Sequence, residues 1–277
     1  MTPFPPPLRV RPKKSLGQNF LRDDNIGRKI VAAVAPAARD VLLEIGPGGG
    51  ALSRHLAGRV RALVLVEIDD RVVTGLRERF TDPSVAIIHG DVLDLDLTGL
   101  ARRYGQKLRI AGNLPYNITS PILFHVLEHR AAVRDLTVMM QREVARRLTA
   151  RPGTKEYGIL SVLCGMEADV KHLFDVSSGA FHPRPAVTSS VVRLTMLTRS
   201  RCRVRDREAF RAMVRGVFGK RRKTLRNSLR YYLGEEPLPD LLPVDLLRRP
   251  EELTLQELAD LANALPERRA PAGSPPR

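Results

Sequence analysis

Apolar positions along the chain fall into short runs that end at glycine, proline, asparagine or an acidic residue. Asp40-Val41-Leu42-Leu43-Glu44-Ile45, Ala62-Leu63-Val64-Leu65-Val66, Val85-Ala86-Ile87-Ile88, Leu108-Arg109-Ile110-Ala111-Gly112 and Leu136-Thr137-Val138-Met139-Met140 each read as a buried strand. Helical spacing lies between them. Ile26, Ile30, Val31 and Val34 mark the apolar face of a helix that opens near Asp23 or Asp24. Further helices are predicted over Ala51 to Ala57, with Gly58 as a stop, and over Arg71 to Phe80, Ser120 to Glu128, Gln141 to Leu148 and Tyr157 to Met166. Two closely spaced prolines exclude regular structure for Phe181-His182-Pro183-Arg184-Pro185, after which Ser189 to Leu194 is β-rich.

The pattern changes near Thr198. No strand signal follows, and helices are predicted over Asp206 to Phe218, Arg222 to Leu233 and Thr254 to Ala264, with a short turn near Val244; Thr254 and Glu257 fit a capping box. From Arg199 to Arg230 there are thirteen Lys or Arg, against the acids Asp206 and Glu208. Residues 1–12 therefore read as a disordered Pro- and Arg-rich arm, 13–198 as the main domain, 199–265 as a small basic helical domain and 266–277 as a disordered tail.

In a parallel sheet the strand ends line one crevice, and here they carry chemistry. The first strand runs into Gly46-Pro47-Gly48-Gly49-Gly50, which lets a nucleotide-like ligand approach the backbone closely. The second ends at Glu67, an acceptor for ribose hydroxyls, and the third at Asp91-Val92, where Asp91 either bonds an adenine amine or caps the next segment. Gly46, Gly48 and Ala51 also satisfy a dinucleotide spacing, so a nicotinamide-dependent oxidoreductase competes at this point. The fourth strand delivers Asn113-Leu114-Pro115-Tyr116, which reads either as a strand-ending turn or as a nucleobase clamp. In the second reading the Asn113 oxygen and a carbonyl of the Leu114-Pro115 backbone accept the two hydrogens of an adenine amine, and Tyr116 stacks on the base. Pro115 would keep Leu114 extended and its carbonyl outward.

A net charge of +16 over 277 residues points to a polyanion, nucleic acid first. The densest basic patch is Gly219-Lys220-Arg221-Arg222-Lys223, and Arg142, Arg146 and Arg147 form a second candidate for phosphate contacts. Cys164 and Cys202 sit in no Cys-x-x-Cys or Cys/His pattern and the six histidines are scattered, so neither a metal site nor a disulfide framework is expected. No apolar run approaches bilayer length and the start lacks a signal-peptide core, which gives a cytoplasmic, membrane-free expectation.

Together, Gly17-Gln18-Asn19-Phe20-Leu21, Glu44-Ile45-Gly46-Pro47-Gly48, Asn113-Leu114-Pro115-Tyr116, Pro183-Arg184-Pro185-Ala186-Val187-Thr188-Ser189 and Arg221-Arg222-Lys223-Thr224-Leu225-Arg226 resemble the KsgA (RsmA) family of ribosomal RNA adenine-N6,N6-dimethyltransferases. The resemblance runs from Lys13 to about Leu265. It implies an α/β class I S-adenosylmethionine-dependent methyltransferase (Rossmann-like) fold with a small all-α C-terminal domain, a mostly parallel seven-stranded sheet and one reversed strand near its edge. It also implies S-adenosyl-L-methionine as cofactor and 16S rRNA of the small ribosomal subunit or its precursor as partner, while the large basic surface argues for a monomer. By the same resemblance Asn19, Leu21, Gly46, Gly48, Glu67, Asp91 and Val92 hold the cofactor. Asn113 joins cofactor to target, and Tyr116 and Phe181 sandwich the base. Gly50 departs from the family pattern, where an apolar residue is usual. The Erm methylases share the first motifs, and an RNA-binding assembly or transcription factor with vestigial chemistry remains a rival of another class.

Overall fold

The first described elements are a two-residue strand, β1 (Phe20–Leu21), and an amphipathic helix, α1 (Asp24–Val34). The Asp23 carboxylate accepts hydrogen bonds from the N–H groups of Asn25 and Ile26, and Ile30, Val31 and Val34 are buried on one face. Next come β2 (Val41–Ile45), the four-residue α2 (Ser53–Leu56), β3 (Ala62–Glu67), α3 (Asp70–Arg79), β4 (Val85–His89), α4 (Leu97–Tyr104), β5 (Leu108–Asn113), α5 (Thr119–Glu128), β6 (Val133–Gln141) and α6 (Arg142–Thr149). The chain then forms α7 (Ile159–Glu167), β7 (Ala168–Val176), β8 (Phe181–His182), β9 (Ser189–Met196), α8 (Arg207–Phe218), α9 (Leu225–Leu233) and α10 (Leu255–Ala264). This computed structural model describes residues 8, 10–13, 16–220, 223–239 and 241–266; Arg221, Arg222, residues 1–7 and 9 of the expected N-terminal arm and all but the first residue of the expected tail lie outside them.

Contacts divide the chain into two units, Met1–Thr149 with Glu167–Thr198 and Ala150–Met166 with Arg199–Arg277. The first unit is built on a seven-stranded sheet ordered β4-β3-β2-β5-β6-β9-β7. Pairs among β4, β3, β2, β5 and β6 are parallel, whereas β9 runs antiparallel to both β6 and β7. β2 and β3 are buried at every position, which suits central parallel strands covered on both faces. This is the class I methyltransferase sheet, with its reversed strand one in from the edge.

Several boundaries differ from the sequence reading. α4 and β7 had no clear signal, and α2 is shorter than the predicted Ala51 to Ala57 because positive φ at Gly48 and Gly50 keeps the preceding turn non-helical. Phe181-His182 is regular after all: it pairs antiparallel with Phe20-Leu21. α9 begins at Leu225, after Thr224, rather than at Arg222.

A buried ion network closes the sheet at the N-terminal ends of its parallel strands. Arg109 Nε donates to both Asp135 oxygens at 3.0 Å, and NH1 donates to Asp40 at 2.8 Å and to the Ala35 carbonyl at 3.0 Å. NH2 donates to the Val34 carbonyl at 2.6 Å, so one guanidinium ties β5 to β6 and caps the end of α1.

The second unit is all helical among its described residues. The segment Ala150–Met166, which the sequence placed in the main domain, groups here: Arg201 N–H donates to the Met166 carbonyl, and Tyr157 packs edge-on to Phe218 with ring centroids 6.0 Å apart. The capping box at α10 is present, with Thr254 and Glu257 exchanging hydrogen bonds.

Candidate active site

Parallel strands raise their C-terminal ends at one edge, and a cleft of about 480 Å³ opens there in the first unit. Gly46 and Gly48, just past β2, line it with Glu67 at the end of β3 and with Asn113, Leu114, Pro115 and Tyr116 after β5. Its remaining wall is Leu16 to Phe20, so the Gly17-Gln18-Asn19-Phe20 motif forms part of the site rather than a surface connector.

Backbone geometry explains the glycines. Gly46 and Gly48 have φ of +61° and +52°, and a Cβ on Gly48 would stand 2.8 Å from the Phe20 ring. A Cβ on Gly112 would stand 2.5 Å from the Ile45 carbonyl oxygen, so β5 approaches β2 this closely only through glycine. Gly50, the departure noted above, has φ of +80°. An apolar side chain there would be strained whatever space it found.

Glu67 is buried and fastens the loop. Its Oε1 accepts from the Ile68 and Asp69 N–H groups at 3.0 Å, and its Oε2 accepts from Gly48 N–H at 3.2 Å. Burial raises its pKa, while those three donors oppose the rise. With one donor on Oε2, that oxygen retains capacity for a ribose hydroxyl. Glu44 lies one strand over and is fully buried. Burial pushes its carboxyl up to about 8, with the Glu67 charge adding to the effect despite a nearby Ser53 hydroxyl. Glu44 is therefore protonated at neutral pH.

Asn113 carries the sharpest feature. Its Nδ2 donates to the Asn19 carbonyl at 2.9 Å, which fixes the carboxamide and holds the N-terminal wall in place. Its Oδ1 is buried and has no hydrogen-bond partner. A buried acceptor left unpaired costs about 1–3 kcal/mol, so the site is built for a donor that arrives with a ligand. Tyr116 is half-buried, its hydroxyl 2.6 Å from Ser189 Oγ, and burial raises its pKa. The wall is tied down again by Gln18, whose Nε2 donates to Asp69 at 3.0 Å. The Arg71 hydrogen bond holds that carboxyl well below its ordinary range.

The structure thus brings Asn19, Gly46, Gly48, Glu67, Asn113, Leu114 and Tyr116 together. Leu21, Asp91, Val92 and Phe181 do not line the cleft. Leu21 is buried and pairs with Phe181 in the β1–β8 ribbon. Asp91 caps the short turn Val92–Asp94 by accepting from Leu93 N–H at 2.9 Å, and Val92 is buried beneath it. The Phe181 reading needs correction: its ring is 5% exposed and packs in the core with Leu21, Val31 and Ala180, so it presents no free face to a base. Phe20 and Ser189 are site residues whose roles sequence reasoning missed. The signal for Phe20 was its place inside the Gly17 to Leu21 motif, and the signal for Ser189 its place at the end of the Pro183 to Ser189 motif.

Of the candidate phosphate contacts, Arg142 and Arg146 are exposed on α6 and Arg147 pairs with Glu143. Lys220 and Lys223 are exposed in the second unit. Among the described residues there is no group of three or more His, Cys, Asp or Glu able to hold a metal, and no helix long and apolar enough to cross a membrane.

The family model for ribosomal RNA adenine dimethylase matches residues 9–264. A ribosomal RNA small subunit methyltransferase A from Aromatoleum aromaticum is 44% identical over 91% of this chain and 94% of its own length. One from Geobacter sulfurreducens is 45% identical over 92% and 96%. Among solved structures, a dimethyladenosine transferase from Plasmodium falciparum superposes with a TM-score of 0.71 at 21% identity, covering 87% of this chain and 95% of that one, which shows the shared fold.

Proposed function

The chain belongs to the ribosomal RNA adenine dimethylase family, and from that membership we propose that it dimethylates N6 of adenosines, two adjacent ones in a 3′-terminal hairpin loop, in small-subunit 16S rRNA. The observation that carries the reading is the buried, unpaired Asn113 Oδ1 at the end of β5, in the same cleft as the glycine turn and Glu67. S-adenosylmethionine, when bound, supplies an electrophilic sulfonium methyl. The residues present fit it: Gly46 and Gly48 leave the backbone open for the methionine end, Glu67 Oε2 accepts from the ribose, and the Asn19 side wall closes over it. Asp91 and Val92 lie in the chain just past β4 but outside the cleft lining, so their contact with the cofactor's adenine rests on the family resemblance alone.

An adenine amine is a weak nucleophile because its lone pair is delocalised into the ring. Asn113 Oδ1 accepts one N6–H, and the Leu114 carbonyl accepts the other. The Pro115 carbonyl is already engaged by Thr119 Oγ1 at 2.9 Å, which favours Leu114 for this role. Held this way, the amine turns its lone pair toward the electrophile, and both hydrogen bonds strengthen as positive charge grows on nitrogen. The bound cofactor would supply the methyl as its S–CH3 bond breaks and S-adenosylhomocysteine leaves, and the proton lost from N6 would pass to water, so these residues need supply no strong base. Tyr116 stacks on the extruded base. Arg142, Arg146, Lys220 and Lys223, with Arg221 and Arg222, are the residues we assign to rRNA phosphates, and the protein would act in the cytoplasm during small-subunit assembly.

The test is incubation with labelled S-adenosylmethionine and undermethylated small subunits, followed by nucleoside analysis. Label in N6,N6-dimethyladenosine that falls by about 100-fold or more in Asn113→Ala, with cofactor affinity changed far less, is the expected result. Full activity in that variant would refute the clamp. Cofactor binding with no label in any RNA would favour an assembly factor.

A further inference from the structure

In the second unit α9 turns Leu225, Ser228, Leu229, Tyr232 and Leu233 inward. The helical repeat leaves Asn227, Arg230 and Tyr231 on another face, and with Lys223 they line one concavity. Tyr231 is 63% exposed while its neighbour Tyr232 is 8% exposed, so core packing accounts for the second ring and not the first. The Lys220 ammonium lies 4.8 Å from the centroid of the Tyr231 ring. Among the described residues no carboxylate pairs with Lys223 or Arg230. Glu208 pairs with Arg211 and Glu257 with Arg248, and Glu236 lines an adjoining concavity with Arg230.

An exposed aromatic ring among unneutralised cations has the composition of a single-strand nucleic-acid platform. The π face stacks any base, and the cations take the phosphates on either side. A bilayer surface would call for apolar neighbours around the ring, and here they are Asn227, Arg230 and Lys223. We propose that this face of α9 is a second RNA subsite that holds one unpaired nucleotide. Tyr231 stacks on the base, Arg230 and Lys223 take the flanking phosphates, and the Asn227 carboxamide hydrogen-bonds the base edge or ribose. The subsite shares with the proposed reaction the premise that the partner is RNA, but it needs no methyl transfer.

The experiment is fluorescence anisotropy with labelled hexauridylate, which contains no adenine, across a salt series. Tyr231→Ala should weaken binding by about 5- to 150-fold, from the value of one base–aromatic stack, with an unchanged salt slope. Tyr231→Phe keeps the stacking face and should bind like the parent. Arg230→Ala should lower the slope of log K against log salt by about 0.7, one phosphate contact on a single strand. Parent-like binding by Tyr231→Ala would overturn the proposal, as would Tyr231-dependent binding to phosphatidylglycerol vesicles without binding to hexauridylate. A parent protein that binds hexauridylate through Tyr231 yet methylates no adenosine would remove the proposed reaction and keep the subsite.

Discussion

The 2.6 Å contact between the Tyr116 hydroxyl and Ser189 Oγ joins the turn after β5 to the first residue of β9. If Tyr116 is the stacking face for the target base, this bond sets its ring. Such a bond is worth about 1 kcal/mol net, or about fivefold in the fraction of rings held in place. Ser189→Ala and Tyr116→Phe should therefore each lower kcat/KM for rRNA about fivefold, and the double variant should fall no further. That corresponds to a coupling of about 1 kcal/mol in a double-mutant cycle. Cofactor affinity should not move, because neither hydroxyl takes part in the glycine turn. Stability should respond unequally. Ser189 is fully buried, so Tyr116→Phe strands a buried hydroxyl, whereas Ser189→Ala leaves the phenol of a half-buried ring. Thermal melting should accordingly show the larger loss in Tyr116→Phe. Losses that multiply to about 25-fold in the double variant would show that the two hydroxyls act independently and would end the argument.

Two further outcomes follow from buried charge. Arg109→Met removes the buried cation that Asp40 and Asp135 share, leaving them only the half-exposed Arg134, and should cost up to about 3–5 kcal/mol, read as a melting temperature lower by up to about 6–20 °C; an unchanged melting curve would refute the network's role. Glu44 is raised to about 8 in the folded chain, so between the ordinary carboxylate range and pH 8 the native state binds one more proton than the unfolded state. Its contribution to stability falls as pH rises through that window, by about 1.4 kcal/mol per unit. Glu44→Gln should flatten that part of the profile in denaturant titrations at pH 5 to 9, and an identical slope in the variant would refute it.

The central strands were legible because β2, β3 and β5 are mostly apolar, Glu44 and Arg109 being the charged exceptions within them, and because chemically distinct residues, Gly46, Glu67 and Asn113, stand at or just past their ends. β7 was not, for a physical reason. It is an edge strand that pairs only with β9, so Asp169, Lys171, His172 and Asp175 interrupt its apolar run, and its register shifts between His172 and Phe174. Gly46, Glu67 and Asn113 could be assigned to the cleft from topology, whereas Asp91, assigned the same way, caps a turn outside the cleft lining. Contacts that depend on two distant segments meeting could not be read that way: Phe20 against Gly48, Ser189 on Tyr116, and Phe181 withdrawn into the core by its pairing with Leu21.

The sheet also separates stability from chemistry along its strands. Arg109, Asp40 and Asp135 stand at the N-terminal ends of β5, β2 and β6, and the guanidinium donates from Nε, NH1 and NH2 to five acceptor atoms. Toward the other ends stand buried oxygens left without a hydrogen-bond partner, the Asn113 Oδ1 and the Glu44 Oε2 among them. An unpaired buried acceptor lowers stability unless a ligand satisfies it, so an active site of this kind needs compensation that does not compete for the same atoms. A strand is rigid enough to transmit position from one end to the other and long enough to keep the two sets of hydrogen bonds apart. Losses at the Arg109 end should therefore appear in unfolding with kcat preserved below the melting transition. Losses at Asn113 should appear in turnover, with a melting temperature that stays level or rises.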